Sequence, residues 1–175
     1  DNAAAGTGTF HLAMQWADDS GCGPTVSYNQ NLLAAHASPA EIDGYTFSAI
    51  AGDVLVFQSG ACSATFDARA ELYNAAGQLV VSDFTDNGLA RLDTVHVPAT
   101  GLYKLLVMEK EGDETGDYGL SLQKVDPAVG ALTLSPGVAA PGALSQAAEM
   151  EVYTLTGYQG ASVSLTMTVL SGHIQ

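Results

Sequence analysis

Residues 8–16, GTFHLAMQW, and residues 116–124, GDYGLSLQK, alternate apolar and polar side chains with a period of two. In the first stretch Phe10, Leu12, Met14 and Trp16 share one parity; in the second Tyr118, Leu120 and Leu122 do. Such alternation gives one face of a β-strand to a core and the other to water. The two stretches also stand in a fixed relation. Gly8 and Gly116, Ala40-Glu41 and Ala148-Glu149, Tyr45 and Tyr153, and Gly52 and Gly160 all lie 108 residues apart. A constant offset across separated blocks, with no gap needed, marks an internal repeat. Residues 8–115 then form one full period, and 116–175 open another. The expected organisation is residues 1–17 as a terminal strand of a preceding or neighbouring repeat, 18–125 as a complete β-sandwich repeat, and 126–175 as a partial second repeat. On this reading both ends of the sequence cut through repeats.

Comparing the copies assigns faces that one copy leaves open. DVLVFQSG, residues 53–60, is apolar on both parities, whereas its counterpart ASVSLTMTV alternates Val163, Leu165, Met167 and Val169 with Ser162, Ser164, Thr166 and Thr168. At the same offset Leu55 and Phe57 face inward, and Val54 and Val56 lie on the outer face. Turn chemistry divides the remainder into short strands. Ala51-Gly52-Asp53, Ala75-Ala76-Gly77, Asn87-Gly88 and Pro98-Ala99-Thr100-Gly101 each separate runs with strand composition. Seven or eight such strands in about a hundred residues, without a long helical apolar stripe, predict an all-β antiparallel sandwich.

Composition narrows the function. The formal net charge is −14, from 19 acidic and five basic residues, which repels nucleic acid and anionic lipid surfaces and favours cation binding. The longest apolar runs are short and interrupted, so none reads as a membrane-spanning segment. DNAAAG at the start has neither the basic residues nor the apolar stretch of a cleavable leader. Cys22 and Cys62 permit one intrachain pairing, and no second Cys or His stands near either at zinc-ligand spacing. A Cys22–Cys62 disulfide is expected, with two buried thiols as the alternative, and the bond would place the protein in an oxidising extracytoplasmic setting.

The strand EIDGYTFSAIAGD, then ARAELYNAAGQLV, SDFTDNG, PATGLYKLLV and TGDYGLSLQ, in that order, resemble the bacterial pre-peptidase C-terminal domain. The resemblance covers residues about 26–124, and again about 134–169 in truncated form. It implies a jelly-roll-like β-sandwich found beside catalytic domains of secreted peptidases and in large surface proteins, often in tandem. It also implies no catalytic residues. Some relatives in bacterial collagenases bind calcium and collagen, but their ligands do not map residue by residue onto this sequence. The second copy departs from the pattern: Glu151 stands where the first has Asp43, and the last strands are missing.

Candidate chemistry is sparse. His11 and His96 alternate with inward apolar neighbours, His36 sits in the polar connection AAHASPA, and His173 is terminal; all four read as solvated. No His-Glu-x-x-His or Gly-x-Ser-x-Gly string occurs. Asp83, Asp86 and Asn87 share one turn, Asp113, Glu114 and Asp117 another, and Asp18 and Asp19 precede Cys22. Hard oxygen donors on loops suit calcium, although the spacing matches no calcium-loop motif, and solvated turn acids are the simpler reading. Tyr28, Tyr73 and Tyr158 are candidates for sugar stacking, weakened by a single Trp on a core-facing parity.

The expected function is therefore a non-catalytic structural repeat of an extracellular or cell-surface protein, self-associating head to tail into a filament or stalk. Phe10, Leu12, Met14 and Trp16 form the expected assembly strand, because an unpaired strand exposes backbone groups and an apolar face that a neighbouring incomplete sandwich can satisfy. The alternative is a ligand-targeting accessory domain of a secreted peptidase or other hydrolase.

Overall fold

The computed structural model describes residues 9–18, 23–62, 66–86 and 88–172. Eight strands follow one another through residues 30–126: β1 (Gln30–His36), β2 (Ile42–Ala49), β3 (Val54–Ala61), β4 (Ala68–Tyr73), β5 (Leu79–Phe84), β6 (Leu89–His96), β7 (Gly101–Glu109) and β8 (Gly116–Asp126). They pair antiparallel into two four-stranded sheets, ordered β1-β8-β3-β6 and β2-β7-β4-β5. This is the strand order of an eight-stranded jelly roll, and the all-β sandwich expected from the alternation is what forms.

Period-two patterning sets the core. Tyr45, Phe47 and Ala49 of β2, Leu55 and Phe57 of β3, and Ala68, Ala70 and Leu72 of β4 all point inward. Tyr103, Leu105 and Val107 of β7 meet Tyr118, Leu120 and Leu122 of β8 in the same cluster. Leu55 and Phe57 are buried, and Val54 and Val56 half-buried on the other face, as the comparison of copies requires. Near-parallel ring stacking of Phe66 on Tyr118, with centroids 5.4 Å apart, closes one end of the interior.

Residues 127–172 are built differently. Their regular structure is β9 (Leu132–Leu134) and β10 (Tyr153–Leu155), paired parallel. Residues 138–144 and 161–170 form no strand, and Val163, Leu165, Met167 and Val169 are exposed. The alternation of 162–169 is therefore present without a sheet to receive it.

Local geometry nevertheless recurs at the 108-residue spacing. Thr25 makes a parallel bridge to Thr46, and Thr133 pairs in parallel with Thr154. Ala40 and Ala148 both have positive φ, 63° and 58°. Glu41 Oε2 accepts the Ala37 and Ser38 amides at 2.7 and 3.0 Å; Glu149 Oε2 accepts those of Ser145 and Gln146, the latter at 3.0 Å. Gly52 and Gly160 carry φ of 92° and 84°, a conformation that favours glycine.

The segment around Ala148 docks on the outer face of β8. A side chain at Gly119 would collide with the Ala147 carbonyl, Gln123 Nε2 donates to the Met150 carbonyl at 3.2 Å, and Asn31 Nδ2 donates to Glu149 Oε1 at 3.1 Å. Gly119 is thus required by close approach, and the outward residues Ser121 and Gln123 become fully buried.

Candidate functional site

Residues 9–16 carry the expected assembly strand, and they make no strand pairing. Phe10, Leu12 and Met14 are 85, 86 and 83% exposed, and Trp16 is exposed as well. The half-buried strand that the alternation predicts is therefore not formed here, because no sheet edge lies alongside it. The segment is instead tethered by its polar parity. Gln15 Nε2 donates to the Ile42 carbonyl at 3.5 Å, and its side chain lies over Gly44 on the outer face of the β2-β7-β4-β5 sheet. Asp18 reaches the β4–β5 turn at Gly77.

Two large apolar series are thus open to solvent: residues 10–16, and residues 163–169 with Leu170. Each contains alternating side chains suited to a buried strand face. Large exposed apolar patches are found where folded proteins meet partners or ligands, or where they aggregate. Both series are also free of Asp, Glu, Lys and Arg in a chain of net charge −14.

The expected histidine placement needs one correction. His36 is 2% exposed rather than solvated, because AAH continues β1 and keeps the inward parity of Leu32 and Ala34. Its ring stands edge-on to Phe66 and Tyr118, with centroids at 5.1 and 5.2 Å. Nε2 lies 3.4 Å from Asp43 Oδ2, and neither ring nitrogen has a hydrogen-bond partner among the described residues. Tyr118 donates to Asp43, and its hydroxyl meets that of Tyr45 at 2.7 Å. Burial, followed by the hydrogen bonds to Asp43 and Tyr45, drives the Tyr118 hydroxyl far above the ordinary phenol range. For Asp43, burial pushes upward, but the adjacent His36 imidazole and the hydrogen bond from Tyr118 together outweigh it and hold the carboxyl below the usual range. His11 and His96 are exposed as expected, and His173 lies outside the described residues.

A second buried polar pair lies on the same parity of β8, toward its other end. Lys124 Nζ sits 2.7 Å from Asp53 Oδ1, and Asp53 Oδ2 accepts the Ile50 amide at 3.0 Å. Burial raises the Asp53 carboxyl, while Lys124 and the Ile50 amide lower it further, leaving it below the ordinary range. This pair lies at the floor of an open cleft of about 450 Å³ that also includes Tyr28, Ser48, Ile50 and Thr100.

The acidic turns divide. Asp83 Oδ2 accepts the Arg91 amide at 2.8 Å and Asp86 pairs with Lys110, so both are engaged; Asn87 and Asp19 lie outside the described residues. The carboxylates that converge are Asp67, Glu109 and Glu111, whose oxygens lie within 4.8 Å of one another. Sequence spacing did not join them, because the connection after β3 and the end of β7 meet only through pairing of β4 with β7. Glu109 is already committed to the Asp113 amide at 3.0 Å and to that of Gly112, and Glu111 stands 3.0 Å from Lys110. Glu114 beside them is raised by burial first and then by the charges of Glu109 and Asp113.

The tyrosines form no common platform. Tyr28 donates to the Ser48 carbonyl at 2.8 Å and packs edge-on against Phe47; Tyr73 donates to Glu71 within β4; Tyr158 is exposed. Cys62 is an exposed free thiol at the end of β3, raised by burial and by Asp117, while its expected disulfide partner Cys22 lies outside the described residues.

No protein-family model and no curated protein matches the sequence. Among solved structures, the chain is similar to the pre-peptidase C-terminal domain of a collagenase from Bacillus anthracis, at 14% identity and a TM-score of 0.50, covering 58% of this chain and 94% of that one. It is also similar to PliG of Aeromonas hydrophila, a periplasmic inhibitor of g-type lysozyme, at 16% identity and a TM-score of 0.47, over 58% and 96% of the two chains. The collagenase domain, at this level of identity, is a likeness of fold.

Proposed function

We propose that the chain is a non-catalytic module of a secreted or surface-displayed series of β-sandwich repeats, whose copies associate head to tail into a stalk or filament. The observation that carries this reading is the recurrence, 108 residues apart, of one local structure: the carboxylate-capped turn at Glu41 and Glu149, the positive-φ alanines, and the parallel pairing of Thr25 with Thr46 and Thr133 with Thr154. Residues 138–144 and 161–170 form no strand, so their apolar residues join no sheet among the described residues. A module whose leading and trailing segments both need partners adds copies without closing on itself. Sedimentation of the protein over a concentration series, with electron microscopy of the same samples, tests this. Growing linear particles support it; a single monomer species at every concentration rejects it.

A second reading is a targeting module for a secreted hydrolase. It is favoured by the fold likeness to the collagenase domain and by the open cleft at Tyr28 and Lys124. Saturable binding to collagen fibrils or insoluble polysaccharide, lost on Tyr28→Ala, would favour this reading over assembly.

A further inference from the structure

We infer that residues 9–16 of one copy insert between residues 138–144 and 162–169 of a second copy, in the register that β8 holds between β1 and β3. The inference rests on the array reading above and adds the partner segment and its register. The template is in the molecule itself. β8 lies between β1 and β3, with Tyr118 opposite Ala34 and Ala61, Leu120 opposite Leu32 and Ser59, and Leu122 opposite Gln30 and Phe57. At the 108-residue spacing, residues 138–144 stand for β1, 162–169 for β3, and 8–16 for β8. Phe10 then meets Gly142 and Val169, Leu12 meets Ala140 and Met167, and Met14 meets Val138 and Leu165. The inward parities agree on all three segments, and Pro141 falls on the counterpart of an edge strand, where proline is tolerated.

Charge selects the same contact. Residues 2–16 contain no Asp, Glu, Lys or Arg, and after Asp126 only Glu149 and Glu151 are charged. Two copies of net charge −14 repel over most of their surfaces, and these two segments are where they meet without like charge. Placement favours a second molecule over self-closure. Gln15 lies on the outer face of the β2-β7-β4-β5 sheet, whereas Ala147 and Met150 lie on the outer face of the β1-β8-β3-β6 sheet. The donated and receiving segments therefore leave from opposite sides of the sandwich.

Two full-length double-cysteine variants, with Cys22→Ser and Cys62→Ser, test the register. Leu12→Cys with Met167→Cys is expected to give a ladder of disulfide-linked multimers under mild oxidation, and Leu12→Cys with Val163→Cys to give none. Equal cross-linking by both pairs, or a bond formed only within the monomer, overturns the inference. A third variant keeps the native cysteines: Leu12→Pro removes a strand amide and is expected to abolish multimers in sedimentation while the melting of the sandwich is unchanged. Multimers that persist in Leu12→Pro overturn the register and leave the array reading standing. A native chain that stays monomeric at every concentration takes both down.

Discussion

At the scale of single residues, the sandwich interior is organised by two polar groups carried on β8. Lys124 and Asp53 are both nearly enclosed and satisfy each other at 2.7 Å. Removing one partner leaves a buried charge without compensation, so Asp53→Ala is expected to cost about 3–5 kcal/mol in chemical denaturation, while Asp53→Ala with Lys124→Met recovers much of it. The second group is Tyr118 with Asp43 and Tyr45. Asp43 is held below its ordinary range in the folded protein, so its contribution is present above the unfolded carboxylate value of about 4 and is lost as pH falls through the lower folded value. Urea midpoints measured between neutral and strongly acidic pH should therefore fall on the acid side, and Asp43→Asn should flatten that limb. Neither group was legible as a pair in the sequence. The partners are brought together by sheet pairing and sandwich closure, across 73 residues for Tyr45 and Tyr118, and local spacing carries no trace of such contacts.

At the scale of elements, strand faces are readable throughout, and strand existence only where a neighbouring strand is present to pair. Alternation placed Leu55, Phe57, Leu120 and Leu122 inward, because a half-buried strand must keep one parity apolar. The same alternation in residues 9–16 and 162–169 predicts strands that do not form, since period-two patterning records what a segment can pair with, while pairing itself needs a neighbour. His36 departs from expectation for a related reason: the small, polar composition of Ala-Ala-His-Ala-Ser-Pro-Ala reads as a connection, and β1 runs on through His36. The repeated turn offers two tests. Ala40 adopts φ of 63°, which strains an L-residue by about 1–2 kcal/mol, while glycine would add about 0.5–1 kcal/mol of unfolded-chain entropy. Ala40→Gly is accordingly expected to stabilise the sandwich by a net fraction of a kcal/mol to about 1 kcal/mol, read as a higher melting temperature. Glu149 caps the counterpart turn and also receives Asn31 from β1; its carboxyl is held low first by the Ser145 amide. Glu149→Ala should speed hydrogen exchange at the Ser145 and Gln146 amides while leaving β8 protected. Loss of protection along β8 as well would show the docked segment to be part of the sandwich's cooperative unit.

At the scale of the whole molecule, charge and apolar surface are separated along the chain. The acids concentrate between Asp18 and Asp126, over the intact sandwich, and the unpaired apolar series lie outside that span. This arrangement makes a directional statement about salt. If the segments meet as inferred, the contact is apolar and uncharged, and what opposes it is repulsion between sandwiches of the same sign. Raising ionic strength from about 0.01 M to 0.15 M shortens the screening length from about 30 Å to 8 Å and removes most of that opposition at the surface. The concentration at which multimers appear in sedimentation should then fall as sodium chloride rises. An association built on ion pairs would run the other way, because screening weakens the attraction itself. Weaker assembly at higher salt would therefore assign the contact to charged residues of the sandwich surface and away from the two open apolar segments.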